Sequence, residues 1–208
     1  LADVDAKLLA ENDRDHAGYL VASAGDVDGD GLDDILVSAT AWVRETYVGA
    51  AYLLYGPVSG TVGLETADAI FRGGSARDWF ASAFAAPGDM DGDGLGDLVI
   101  MSLERYSAYV YNGAPTGERF LSGADAVLVG EGVETSCGIS ADAAGDVDGD
   151  GTPDILIGAR HDNEADEDAG AAWLVYGPIV GTSELDDVGT KFLGIQSDDI
   201  TGNSVAGV

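Results

Sequence analysis

The chain has one cysteine, Cys137, so no disulfide can form within it. Cys137 lies between Ser136 and Gly138 with no histidine near it in sequence, and it reads as a small buried residue rather than a nucleophile. Cationic side chains are almost as scarce. Lys7 and Lys191 are the only lysines, and Lys plus Arg total 9 against 38 Asp plus Glu, a formal net charge of −29. A surface this negative repels phosphate backbones and anionic headgroups, which argues against nucleic acid and charged membranes as partners. No apolar run reaches the ~18 residues a spanning helix needs, so no membrane insertion is expected, and no basic-then-apolar leader is visible. The two histidines, His16 and His161, belong to no catalytic motif. No stretch sustains a 3.6-residue period with caps, so helices should be few.

The chain does have apolar residues for a core (46% hydrophobic), 31 glycines and an internal repeat. The segment GDVDGDGLDDILV from Gly25 recurs as GDMDGDGLGDLVI from Gly88 and GDVDGDGTPDILI from Gly145. Sixteen residues before the first Asp of each stand Ala10, Gly73 and Gly130, each behind an apolar patch. Downstream come GAAYLLYGP from Gly49, SAYVYNGAP from Ser107 and GAAWLVYGP from Gly170. The repeats run approximately over 6–68, 69–125 and 126–189. An incomplete fourth spans 190–208, where Gly194 takes the place of Gly130. Each unit reads as four short strands, such as AKLLA, GYLVASAG, DILVSATA and AAYLLYG, rich in β-branched and aromatic residues and bounded by Gly, Asp and Pro. The acidic run RHDNEADEDA at 160–169 reads as a solvated loop.

The repeated loop has the spacing D-x-D-x-D-G-x-x-D. In the first copy Asp26, Asp28 and Asp30 alternate, and Gly29 and Gly31 permit the positive φ that so tight a loop needs. Carboxylates crowded in this way repel one another unless a cation joins them. A hard divalent ion fits the donor set, and Ca²⁺, which takes 6–8 oxygens in flexible geometry, suits it better than octahedral Mg²⁺. No Cys or His lies in any of the loops, which argues against softer metals. The expected ligands are the side chains of positions one, three, five and nine and the backbone carbonyl of position seven. They are Asp26, Asp28, Asp30, Leu32 and Asp34 in the first loop, Asp89, Asp91, Asp93, Leu95 and Asp97 in the second, and Asp146, Asp148, Asp150, Thr152 and Asp154 in the third. Three Ca²⁺ sites follow. They are not EF-hands, because position twelve is Val37, Ile100 or Ile157 where an EF-hand needs a bidentate Glu.

An acidic loop of this form, followed by an apolar strand and a Gly-Ala element, resembles the FG-GAP repeat of the integrin α-subunit β-propeller. IGAR at 157–160 is nearest the GAP element, whereas VSAT at 37–40 and IMSL at 100–103 depart from it. Gly18-Tyr19, Phe80-Ala81, Cys137-Gly138 and Thr201-Gly202 take the FG slot, none of them a true Phe-Gly. The resemblance implies an all-β β-propeller of four-stranded blades, with the calcium loop joining the first two strands. Three full repeats and a partial fourth imply a fragment of a larger propeller, the remainder coming from the same longer chain or from another. It also implies an extracellular or cell-surface module for adhesion or for binding a protein or glycan ligand, and the near-perfect Asp loops and the scarcity of lysine favour a prokaryotic source. A Ca²⁺-dependent carbohydrate-binding propeller and the propeller domain of a polysaccharide-degrading enzyme remain alternatives. Loops 40–49 and 160–169 are candidate contact regions. Trp42, Tyr47 and Trp79 are candidate anchors, Trp79 being better suited to the core.

Overall fold

The computed structural model describes residues 5–40, 48–75, 78–130 and 137–207. Strand β1 (Ala6–Leu9) is followed by three units of five strands each. The first unit has β2 (Ala17–Gly25), β3 (Asp34–Ala39), β4 (Ala50–Leu54), β5 (Gly60–Gly63) and β6 (Ala69–Arg72). The second has β7 (Phe80–Gly88), β8 (Asp97–Ser102), β9 (Ser107–Tyr111), β10 (Gly117–Phe120) and β11 (Ala126–Val129). The third has β12 (Cys137–Gly145), β13 (Asp154–Ala159), β14 (Ala171–Val175), β15 (Gly181–Glu184) and β16 (Gly189–Leu193). Helix among the described residues is confined to single turns, the longest being Leu185–Val188.

Within each unit four strands form an antiparallel meander, β2-β3-β4-β6, β7-β8-β9-β11 and β12-β13-β14-β16. These are blades of a β-propeller. The remaining strand of each unit leaves its own blade. β5 pairs in parallel with β1, β10 with β6 and β15 with β11, so each unit adds a strand to the outer edge of the sheet before it. The four-strand reading of the sequence thus acquires a fifth, crossing strand. Its segments GTVG, GERF and GTSE are short and largely exposed, and they carry none of the alternation that marks a half-buried strand.

The first strand of each blade is interrupted by a bulge. Its register breaks after Ala17, Phe80 and Cys137, and the next residue, Gly18, Ala81 or Gly138, takes a positive φ. The structure therefore corrects the slot in the first unit: the counterpart of Phe80-Ala81 is Ala17-Gly18, one residue before Gly18-Tyr19.

Side chains of facing sheets meet in three cores, one of which packs Val37, Tyr52 and Ile70 of the first blade against Leu8 and Val62 of the β1-β5 sheet. Between the first and second blades lie Leu53, Phe71, Phe80, Leu98 and Tyr111, with the Phe71 and Tyr111 ring centroids 4.6 Å apart. Between the second and third lie Val99, Met101, Leu128, Ile157 and Trp173. Cys137 is in this last core, fully buried, and burial pushes its thiol up to about 12, as expected of an inert residue. The second residue of the first two acidic loops plugs these seams: Val27 is 0% and Met90 2% exposed. The first strands of the blades and the segment after Gly202 line an open cavity of about 330 Å³, with Leu20–Ala22, Ser82–Phe84, Ile139–Ala141 and Asn203–Val205 in its wall. Trp79 is half-buried, whereas Trp42 and Tyr47 lie outside the described residues.

The seams depend on close backbone approach. Gly49 has φ +76°, and a Cβ there would run into the carbonyl of Phe80 in the next blade. Gly49→Ala should therefore lower stability by roughly 2–4 kcal/mol, combining left-handed backbone strain with an overpacked contact. A denaturant titration measures it, and an unchanged midpoint would show that the seam tolerates a methyl group.

Candidate metal centre

The three acidic loops join β2 to β3, β7 to β8 and β12 to β13, and they fold alike because the same short carboxylates cap the same amides. Oδ1 of Asp26 accepts from the Gly29 amide (2.8 Å) and Oδ2 from the Gly31 amide (2.9 Å). Asp89 does the same for Gly92 and Gly94, and Asp146 for Gly149 and Gly151. The third-position carboxylates Asp28, Asp91 and Asp148 accept from the amides of Asp30, Asp93 and Asp150. The glycines at positions four and six of every loop have positive φ, which lets the chain curl around the first carboxylate.

The ninth-position residues hold the loop to the sheet. Asp34, Asp97 and Asp154 are at most 1% exposed. One oxygen of each accepts from the second-position amide, Val27, Met90 or Val147, at 2.7–2.8 Å. The other accepts from a glycine in the turn after the blade's third strand: Gly56 (2.8 Å), Gly113 (2.8 Å) or Gly177 (3.0 Å). Sequence reasoning missed these glycines. Their signal was present, since the blocks YGP, YNGAP and YGP recur at that place in every unit, but nothing in the blocks reveals which acceptor their amides meet.

In each loop, one oxygen from each of the first, third and ninth residues lies within 4.8 Å of the others. The groups are Asp26, Asp28 and Asp34; Asp89, Asp91 and Asp97; and Asp146, Asp148 and Asp154. Asp30, Asp93 and Asp150 stand outside these groups, and each accepts from the amide of the seventh residue, Leu32, Leu95 or Thr152. Three of the four expected carboxylates thus converge in each loop. Among the described residues, no Lys, Arg or His ion pair reaches any of them. A triad of oxygens with no neutralising side chain is the donor chemistry a hard divalent cation requires, so the residues fit such an ion.

Without that ion Asp34 and Asp97 are held above the ordinary carboxylate value. Burial raises Asp34 and Asp97, and repulsion from Asp28 and Asp26, or from Asp91 and Asp93, adds to it, while the amide bonds partly offset the rise.

Elsewhere the acidic run at 160–169 is not uniformly solvated. Asp162 is 1% exposed and pairs with Lys191 at 3.1 Å, while Glu164 holds the same ammonium at 2.6 Å. Lys191 also sits 4.8 Å over the Trp173 ring, whose Nε1 donates to Asp186. A lysine on the facing strand, some thirty residues on, accounts for the burial, and the run itself does not announce it. His16 is exposed and His161 half-buried.

A raised carboxyl in the fold binds a proton that the unfolded chain has already released. Stability from Asp34 and Asp97 is therefore greatest below the ordinary value of about 4 and is lost as pH rises through that value toward the higher folded ones. In chelator, the melting temperature should rise as pH is lowered from 7 toward 4.5, and Asp34→Asn or Asp97→Asn should flatten the slope. A metal-free melting temperature that drops over this window would contradict the assignment of repulsion to these clusters.

Two family models match the chain: the FG-GAP repeat over residues 17–54 and the FG-GAP-like repeat over residues 89–157. Among curated relatives, integrin alpha-5 of Xenopus laevis is 32% identical over 154 residues, covering 68% of this chain and 14% of that protein. Integrin alpha-V of Gallus gallus is 31% identical over 157 residues, again 68% of this chain and 14% of the relative. Integrin alpha-IIb of Homo sapiens is 31% identical over 170 residues, 76% of this chain and 16% of the relative. The chain thus spans about a sixth of the length of these proteins or less. No described helix is long and apolar enough to cross a membrane.

Proposed function

The chain belongs to the integrin α-like FG-GAP repeat family, and on that premise we propose that it is a calcium-stabilised, extracellular β-propeller module that binds a protein or glycan ligand without catalysis. The observation that carries the reading is the threefold recurrence of one carboxylate triad at one place in the blade. Each triad includes a buried Asp tied to two backbone segments, so a cation there would brace the loop, the blade and the turn into the crossing strand together. Ca²⁺ is the assigned ion because oxygen-only donors on a glycine-rich loop suit its flexible coordination. Asp26, Asp28 and Asp34 and their counterparts supply the first ligands. Asp30, Asp93 and Asp150 and the carbonyls of Leu32, Leu95 and Thr152 complete the assigned set. Extracellular modules bind Ca²⁺ at about 10⁻⁴–10⁻³ M, which suits a calcium-rich exterior.

Ligand binding is assigned to the loops at the far end of the strands from the metal loops, where a rigid scaffold carries variable segments. Residues 160–169 belong to that group, and the candidate loop 40–49 lies largely outside the described residues. The remaining blades are assigned to the same longer chain or to another chain. β1 has the parallel partner that β6 and β11 have, but among the described residues it lacks the antiparallel partner that β4 and β9 give those strands.

Calcium at 10 mM should stabilise the fold by about 1.4–2.7 kcal/mol per site at these affinities. The melting temperature should fall in chelator and recover with Ca²⁺, and Mg²⁺ should restore less of it. A melting temperature indifferent to both would refute the calcium assignment. For the ligand, a glycan and extracellular-protein array should give calcium-dependent binding that survives His16→Ala and His161→Ala. Turnover of an acidic polysaccharide that those variants abolish would overturn the non-catalytic reading.

A further inference from the structure

The three metal loops match in their own residues but not in what stands beside them. The residue after the third strand of each blade heads the turn whose glycine amide reaches the ninth-position Asp. It is Tyr55 in the first unit, Asn112 in the second and Tyr176 in the third. The two tyrosines direct their hydroxyls elsewhere. Tyr55 donates to the Pro115 carbonyl at 2.7 Å in the next unit, and Tyr176 pairs with Thr190 Oγ1 at 3.3 Å. Asn112 instead turns its carboxamide onto the cluster, where Nδ2 donates to Asp91 Oδ2 at 2.7 Å. The Asn112 backbone amide is itself held by Asp125 Oδ2 (3.0 Å), and the next amide, Gly113, donates to Asp97 Oδ1 (2.8 Å). One turn therefore fixes two of the three cluster carboxylates. Among the described residues no side chain donates to Asp28 or Asp148.

Resting on the calcium reading, we propose that Asn112 is a positioning residue that makes the second loop the tightest of the three cation sites. Asp91 is exposed, and within its own loop it is held by the Asp93 amide on Oδ1, as Asp28 and Asp148 are held by theirs. The anchored Asn112 amide adds a second donor, on Oδ2, that restricts the carboxylate further than its counterparts in the other loops, and it adds no charge that would compete. The amide presents its nitrogen, because a carboxylate can only accept. Removing hydrogen bonds that orient metal ligands typically costs 10–100-fold in affinity.

The test is a calcium titration of the chelator-stripped chain followed by ¹⁵N NMR. The amides of Gly31, Gly94 and Gly151, one in each loop, report the sites separately. In the unmodified chain the Gly94 signal should saturate first. Asn112→Ala should weaken that site about 10-fold or more and leave Gly31 and Gly151 unmoved. Asn112→Asp, which sets a carboxylate against Asp91, should weaken it at least as much. Unchanged Gly94 saturation in Asn112→Ala would overturn the assignment. So would tighter binding in Asn112→Asp, which would make residue 112 a ligand in its own right. A loss of metal-free melting temperature in Asn112→Ala would also overturn it, since the role would then be structural. If none of the three glycines responds to calcium in the unmodified chain, the calcium reading fails, and this assignment fails with it.

Discussion

The structure turns on a conflict of like charges. Each blade brings three aspartates to within a few ångströms at the end of its first hairpin and buries one of them. Backbone amides satisfy the oxygens of that buried residue but carry no net charge, so hydrogen bonding alone leaves the repulsion standing. The ninth-position Asp is the pivot: Asp34, Asp97 and Asp154 each join the start of the loop to a turn about twenty residues away. A cation at the cluster would remove the repulsion and tighten that junction in one event, which is how metal binding becomes folding free energy.

The blades depend on one another in a second way. The crossing strands β5, β10 and β15 leave one unit and complete the edge of the preceding sheet, so the first and second blades are each finished by the unit that follows. The metal loops share these seams. Val27 and Met90 fill the spaces between blades, and the Leu95 side chain rests against Gly29 of the neighbouring loop. Repeat arrays of this kind gain stability from interfaces as much as from units. In this chain the interfaces run beside the clusters.

Much of this was legible in the sequence. The loops announced themselves because D-x-D-x-D-G-x-x-D kept its register three times, and the core strands because DILVSA and AAYLL are β-branched, aromatic and bounded by turn residues. What escaped has physical reasons. The crossing strands are polar and four residues long, and parallel pairing with a distant edge leaves no local pattern. Asp30, Asp93 and Asp150 share the spacing of their neighbours, and spacing alone does not reveal that the first, third and ninth residues draw together while the fifth stands outside their group. The burial of Asp162 depends on Lys191, and the contribution of Asn112 depends on a strand end that only the fold sets beside Asp91.

The most direct measurement is an anomalous difference map from crystals grown in millimolar calcium. The account predicts three peaks, each 2.3–2.6 Å from oxygens of its own triad: Asp26, Asp28 and Asp34; Asp89, Asp91 and Asp97; Asp146, Asp148 and Asp154. Well-ordered loops with no anomalous density between their carboxylates would contradict it.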